Sequence, residues 1–251
     1  ARTSMRIKGE PGFILHRRPF SESSLLLDIF SRRYGRITAI AKGARRQKSQ
    51  YRGMIRPFAL TTLGWSGKGE VKTLTQCEWA GPDFGLRGPN LFCGYYLSEL
   101  LIKFLQRYDP HERLFDQYLK SLVHLGVDDE SQSTLRLFEK VLLREAGYGL
   151  RLDKDHDTGQ PIKSDSSYHY RPGLGAFVNQ GNEAGGVIVH GSSLIALRDE
   201  LHFDATILRE LKQLHRVIFQ SLLDGRSLIT RQIFSQIYQT EKLHSSAEAL
   251  N

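Results

Sequence analysis

Three aspartates at alternate positions, Asp153, Asp155 and Asp157, make the most metal-like pattern in the chain. A calcium-binding loop places oxygen ligands at its first, third and fifth positions in this way. The pattern stops there, because the sixth position is Thr158 where the turn needs a glycine, and the twelfth is Ser164 where a bidentate glutamate belongs. The segment reads as a solvated loop. The nine histidines form no HExxH pair, the serines form no G-x-S-x-G elbow, and neither Cys77 nor Cys93 has a His or Asp nearby in sequence to activate a thiolate. Gly64 to Gly69 (GWSGKG) misses the spacing of a phosphate loop and leads into an extended segment, not a helix. Lys42-Gly43 lacks the intervening aspartate of a nucleotidyl-transfer lysine motif, and no large adenylation domain precedes it. These residue types assemble no covalent or metal-dependent centre, so we expect a non-enzymatic protein with no cofactor and no metal.

The other chemistry-bearing feature is charge. From Arg32 to Lys72, eleven basic residues stand with one acid, Glu70, among apolar positions such as Ile37, Ala39, Ile55, Leu63 and Trp65. A disordered basic tail would lack those apolar positions, so the stretch reads as a folded β-module presenting a cationic face to a polyanion. The predicted nucleic-acid-binding set is Arg36, Lys42, Arg45, Arg46, Lys48, Arg52, Lys68 and Lys72, on or beside one sheet face and its loops. Tyr34, Tyr51 or Trp65 are the candidates for stacking on bases, with core packing the stronger reading for Tyr51 and Trp65. Each phosphate neutralised releases condensed counterion, so binding should be steeply salt-dependent and indifferent to sequence.

The whole composition agrees with one localised surface. The formal net charge is +8 and the pI is near 9.5, with the excess in the N-terminal third. No apolar run approaches the roughly 18 residues of a membrane span, and the opening residues ARTSMRIKGE lack the apolar centre of a secretion signal. The expected location is therefore the cytosol, with no membrane partner. Two cysteines are too few for a disulfide framework or a thiolate zinc site, and both are expected as buried free thiols.

The elements that must position the charge can be read from periodicity. Strands are predicted at Gly12–Arg17, Ser24–Ser31, Arg36–Lys42, Met54–Trp65 and Glu70–Cys77, with turns at Tyr34-Gly35 and Ser66-Gly67-Lys68-Gly69. Five strands in about sixty-five residues fit a small closed barrel such as the OB-fold, and the pattern leaves an SH3-like barrel open. After a break at Gly81-Pro82 to Gly88-Pro89 the period becomes helical. Helices are predicted from an Asn90 N-cap to Tyr108, over His111–Leu125 and over Ser131–Ala146, packed as a bundle. Residues 150–190 read as a polar, glycine-rich loop-and-hairpin insertion. Helices resume at Ser193–Leu201, from an Asp204 N-cap to Leu223, and around Leu228–Tyr238. The boundaries drawn are 1–80, 81–149, 150–190 and 191–251.

With these pieces placed, the sequence resembles the RecO family of bacterial recombination mediators. The resemblance is carried by GFILHRRPFSESSLLLDIF at Gly12–Phe30, GRITAIAKGAR at Gly35–Arg45, RPF at Arg56–Phe58, GEVKTL at Gly69–Leu74, YYLSELL at Tyr95–Leu101, RLFE at Arg136–Glu139 and GYG at Gly147–Gly149. It implies an α+β, multi-domain protein: an N-terminal five-stranded OB-fold barrel, then a helical bundle carrying a small zinc-finger-like insertion. Many members hold four cysteines in that insertion; Leu150 to Tyr170 holds none, so a metal-free insertion kept together by loop packing is expected. The resemblance also implies nucleoid association and binding of single- and double-stranded DNA. It further implies annealing of strands coated by single-stranded DNA-binding protein, and RecA loading, an indirect RecA partnership, together with RecR. The acidic, aromatic-ending tail of the coating protein needs an apolar slot and cations. Arg136 matches a family basic position for it, with Lys212 and Arg216 offered on a looser alignment. An RNA-binding OB module and a barrel-containing nucleic-acid enzyme stand as alternatives.

Overall fold

The first strand, β1, runs Met5–Pro19, well beyond the predicted Gly12–Arg17. It is long because it serves two neighbours in turn. Met5 to Gly12 pair with β4 (Ala59–Gly67), and Gly12 to Pro19 pair with β2 (Leu25–Ser31). Register shifts between Ile7 and Glu10 and between Ile14 and His16 bend it around, with Gly9 at φ +68° inside the first of them. A parallel pairing of β3 (Gly35–Ala41) with β5 (Val71–Asp83) and an antiparallel pairing of β5 with β4 close the barrel in the order β1-β2-β3-β5-β4. The computed structural model describes residues 5–127, 131–181, 185–224 and 228–233, and its chain divides into compact units at Asp129/Glu130.

Alternation fills the barrel as the sequence predicts: Leu27, Ile29, Ile37, Ala39 and Leu63 are buried there with Trp65. The predicted fourth strand starts late, because Met54 to Phe58 form turns, with Phe58 at φ +59°. Helix α1 covers Gly88–Phe104 and α2 covers Glu112–Val127. The N-cap of α1 is Arg87, not Asn90, which lies inside the helix and donates to the Leu125 carbonyl at 2.9 Å. The helix stops short of Tyr108 because the chain leaves it to run beside β3, where Tyr108 N donates to the Arg36 carbonyl at 3.0 Å.

Helices α1 and α2 pack in the first unit with the barrel. Phe13 and Phe30, on the barrel wall, meet Phe115 and Tyr118 of α2 with ring centroids 5.0 to 6.3 Å apart, and Tyr118 is anchored by a 2.9 Å hydrogen bond with Ser98 of α1. Gly35, at φ +67°, makes the β2–β3 turn against this hairpin; a Cβ there would strike the Asp109 carbonyl.

In the second unit, α3 (Ser131–Glu145), α4 (Gly191–Asp199) and α5 (Ala205–Leu222) pack on one another. The predicted Asp204 cap is present, its carboxylate accepting from Ile207 N at 2.8 Å. The insertion is a three-stranded sheet of β6 (Ser167–Arg171), β7 (Gly175–Val178) and β8 (Val187–His190) in the order β7-β6-β8. Of the helix expected over Leu228–Tyr238, residues 229–233 are helical and those beyond Ile233 lie outside the described residues.

Candidate nucleic-acid interface

The basic stretch separates into two groups with different work. Arg32 holds Glu112 and Asp116 of α2 at 2.5 and 3.0 Å. Arg33 binds Glu10, a fully buried carboxylate that also accepts from Ser31 Oγ and Arg33 N. Arg36, one of the predicted DNA contacts, is largely covered: its Nε donates to the Leu105 carbonyl at 3.1 Å and its Nη1 lies 3.4 Å from Asp28. Burial lowers its pKa from the ordinary arginine value, Asp28 opposing and Arg107 adding to the effect. These three arginines join barrel to helices or satisfy buried acids.

The second group is free of such ties. Lys42, Arg45, Arg46, Lys48 and Arg52 are all exposed on the loop that leaves β3 at Ala41, and among the described residues none of them enters an ion pair. The loop has a defined shape. Arg45 N and Arg45 Nη1 donate to the carbonyls of Ser23 and Ser21 at 3.0 and 2.8 Å, so the loop is pinned to the β1–β2 turn, and Arg52 Nη1 caps the Gln47 carbonyl at 3.2 Å. Between the pinned turns lies a cleft of about 370 Å³ lined by Phe20, Ser24, Ile40, Lys42, Gly43 and Arg46 with Ser21 and Ser23.

Lys68 belongs to the other end of the same wall, whereas Lys72 stands on β5 opposite Ala39, two residues before the basic loop departs. Val71 pairs with Thr38 in parallel register, so the β4–β5 turn points back toward Gly35 while the basic loop departs from Ala41. The six steps of β3 put the ends about 20 Å apart. Lys68 is exposed; Lys72 bends back, its Nζ donating to Gly69 O at 2.8 Å and lying 5.3 Å from the Tyr108 ring. The structure thus brings Lys42, Arg45, Arg46, Lys48 and Arg52 together, sets Lys68 apart, folds the Lys72 amine back onto the β4–β5 turn, and turns Arg36 inward.

The aromatics proposed for stacking are also redistributed. Trp65 and Tyr51 are buried, with Tyr51 Oη donating to Leu74 O at 3.1 Å, and Tyr34 meets Trp65 edge-on at 5.4 Å. Phe20, at 57% exposure, was missed, along with the exposed His16, Arg17 and Arg18 that precede it on β1. The signal was available in the P-F-S-E-S run, a turn composition holding a large apolar residue with no core to enter. Cys77 is buried and burial pushes its thiol up to about 11, whereas Cys93 is only half-buried, against expectation.

OB-fold barrels take oligonucleotides on the β2–β3 face and the β1–β2 and β4–β5 loops; in this five-stranded closed barrel the exposed cations stand on the β3–β4 loop, which is pinned to the β1–β2 turn. Sequence comparison then decides the family. The profile for the N-terminal part of Recombination protein O matches residues 5–82, and that for its C-terminal part matches residues 87–230. The chain belongs to the RecO family. It is 40% identical over 237 residues to the DNA repair protein RecO of Dechloromonas aromatica (strain RCB), covering 93% of this chain and 98% of that one. It is 41% identical over 228 residues to that of Coxiella burnetii (strain CbuG_Q212), covering 91% and 98%. To the protein of the same name in Ralstonia nicotianae it is 40% identical over 235 residues, covering 93% and 86%. The RecO profiles meet in the break before α1, whereas α1 and α2 pack with the barrel.

The insertion of this RecO chain carries no cysteine thiolate to ligate zinc. No group of three or more His, Cys, Asp or Glu is poised for a metal among the described residues. Asp155, read as part of a solvated loop, is 3% exposed. Its oxygens accept from Thr158 N and Oγ1 at 2.7 Å and from Val178 N at 2.8 Å. Burial pushes its carboxyl up, but these hydrogen bonds and one from the Asp157 backbone outweigh it and hold the pKa below the usual aspartate value. Asp153 and Asp157 stay exposed.

The residues proposed for the coating protein's tail also part company. Lys212 and Arg216 are exposed one turn apart on α5. Arg136 is buried on α3, its Nη2 donating to Glu139 Oε1 at 2.9 Å while Glu139 Oε2 meets His215 Nδ1 of α5 at 2.5 Å. Nε and Nη1 of Arg136 have no hydrogen-bond partner among the described residues. No described helix is long and apolar enough to cross a membrane.

Proposed function

We propose that this chain is a non-enzymatic DNA-binding recombination mediator of DNA repair, binding single- and double-stranded DNA without reading sequence. Its names among relatives, RecO and DNA repair protein, point the same way. The observation that carries the reading is the loop from Lys42 to Arg52: five exposed cations, none in an ion pair among the described residues, on a loop that hydrogen bonds hold in shape. Such a surface suits phosphates, and its affinity comes from counterion release. The mechanism is electrostatic. A cationic surface shared by two strands lowers their mutual repulsion, so complementary pairing can nucleate.

The finer activity is annealing of strands coated by single-stranded DNA-binding protein and, together with RecR, RecA loading. On this reading Lys212 and Arg216 offer the accessible charge for the coating protein's acidic tail, with Arg136 set behind them in the packing of α3 on α5. The experiment is annealing of complementary strands coated with the cognate protein, comparing wild type with the double variant Arg46→Glu/Lys48→Glu. The variant should anneal slowly and bind DNA with a shallower salt dependence. Undiminished annealing and an unchanged salt slope would remove this surface from the mechanism, and stronger competition by structured RNA than by single-stranded DNA would favour an RNA-binding role.

A further inference from the structure

Four large aromatic side chains are exposed in the first unit, and three already have an engaged face. Arg56 lies over Trp79 at 4.1 Å, Phe58 packs edge-on to Tyr95 at 4.9 Å, and Lys72 faces Tyr108, whose hydroxyl donates to the Glu70 carbonyl. Phe20 is the most exposed of the four, and among the described residues no ring or cation covers it. It lines the cleft between the β1–β2 turn and the basic loop. A phenylalanine left in water costs apolar hydration with no packing in return. The residues that line the cleft with it complement an anionic, aromatic ligand: Lys42 and Arg46 supply charge, Ile40 an apolar surface, and Ser21, Ser23 and Ser24 polar groups.

The cleft is also built to keep its shape. Phe20 N donates to Ser24 O at 3.0 Å and closes the first turn. Arg46 N donates to Gly43 O at 3.1 Å and closes the second, in which Gly43 adopts φ +70°. Arg45 ties the two together through Ser21 and Ser23. The acid of these turns, Glu22, is exposed and does not line the cleft. At about 370 Å³ the cleft lies at the small end of ligand sites, where one nucleotide-sized group fits.

The geometry points to a single-nucleotide subsite: Phe20 stacks on one unpaired base while Lys42 and Arg46 hold the adjoining phosphate. A base in a duplex is already stacked on both faces and cannot offer one to Phe20, so the subsite favours single-stranded over duplex DNA at a surface whose phosphate contacts alone would not discriminate. It rests on the loop being a DNA-binding surface and adds to that reading a dependence on the base itself.

The test is a fluorescence-anisotropy titration of the full chain with three labelled ligands: an oligothymidylate, an abasic oligonucleotide of equal length, and a duplex. Phe20→Ala should weaken oligothymidylate binding by roughly 5- to 150-fold, the range of one lost stacking contact. It should leave the abasic and duplex ligands and the salt slope unchanged, with an unaltered melting temperature. Phe20→Trp should retain affinity, and its indole emission should be quenched by oligothymidylate and not by the abasic strand. Oligothymidylate binding that is indifferent to Phe20→Ala, or that falls equally with the abasic ligand, overturns the subsite while steep salt dependence preserves the wider reading. A wild-type chain that binds none of the three at low salt overturns both.

Discussion

Arg33 Nη2 lies 2.7 Å from Glu10 Oε2, and the carboxylate it meets is fully buried. Formal charge therefore overstates the charge available to DNA, because a buried carboxylate must be paired and Arg33 serves that need. Arg33→Ala should lower the melting temperature while leaving the salt slope of DNA binding where it was. Arg46→Ala should do the reverse, reducing the single-strand slope by about 0.7 with little effect on melting. Equal slopes for the two variants would refute the division of the basic stretch.

The aromatic seam between Phe13, Phe30, Phe115 and Tyr118 makes barrel and helical hairpin one packing unit. Phe115 is 2% exposed, so Phe115→Ala should cost about 3–5 kcal/mol in chemical denaturation. Loss of barrel and helix signals in one transition would be the signature of this coupling. A barrel that melts unchanged in the variant would contradict it.

The barrel was legible because its strands alternate cleanly: Leu27, Ile29, Ile37, Ala39 and Leu63 all point inward as their spacing requires. The length of β1 was not, since the predicted strand begins at Gly12, whereas the bulge between Ile7 and Glu10 carries the pairing with β4 back to Met5. Side-chain roles were legible only to the level of residue type. Arg36, Arg46 and Arg136 look alike in one dimension. Partners far along the chain, Leu105 for the first and His215 by way of Glu139 for the last, decide that two are inside and one is out. Phe20 failed in the opposite sense, because an isolated apolar residue in a turn gives no periodicity to measure.

The buried cluster on α3 and α5 makes a pH prediction. Glu139 shares its two oxygens between Arg136 and His215, and the pair with Arg136 already balances its charge. Burial pushes the His215 pKa below the usual histidine value; Glu139 opposes this, and Arg136 and Arg231 reinforce it. The unfolded chain then takes up a proton at a higher pH than the folded one. The contribution to stability is intact above about pH 6.5 and is lost as pH falls from there through the folded pKa. Urea midpoints measured between pH 8 and pH 5 should decline for wild type, and less steeply for His215→Gln. Parallel declines would show that His215 is not the titrating group.

The insertion offers a test of what holds it together. Asp155 collects backbone donors from both sides of the fold: Thr158 in its own turn and Val178 at the end of β7. The main chain around it closes the same loop, with Asp155 N donating to Gln160 O at 2.8 Å and His156 N to Ala176 O at 2.7 Å. One carboxylate thus joins a loop to the end of a strand. Asp155→Ala would take the charged acceptor from the part-buried Val178 and Thr158 amides and should cost about 1–3 kcal/mol. It should also expose residues 150–180 to limited proteolysis, while Asp155→Asn, which keeps one carbonyl acceptor, should lose less. A chelator should change neither melting nor proteolysis of the wild type, and a drop in stability on adding it would show that an ion, rather than Asp155, holds the insertion together.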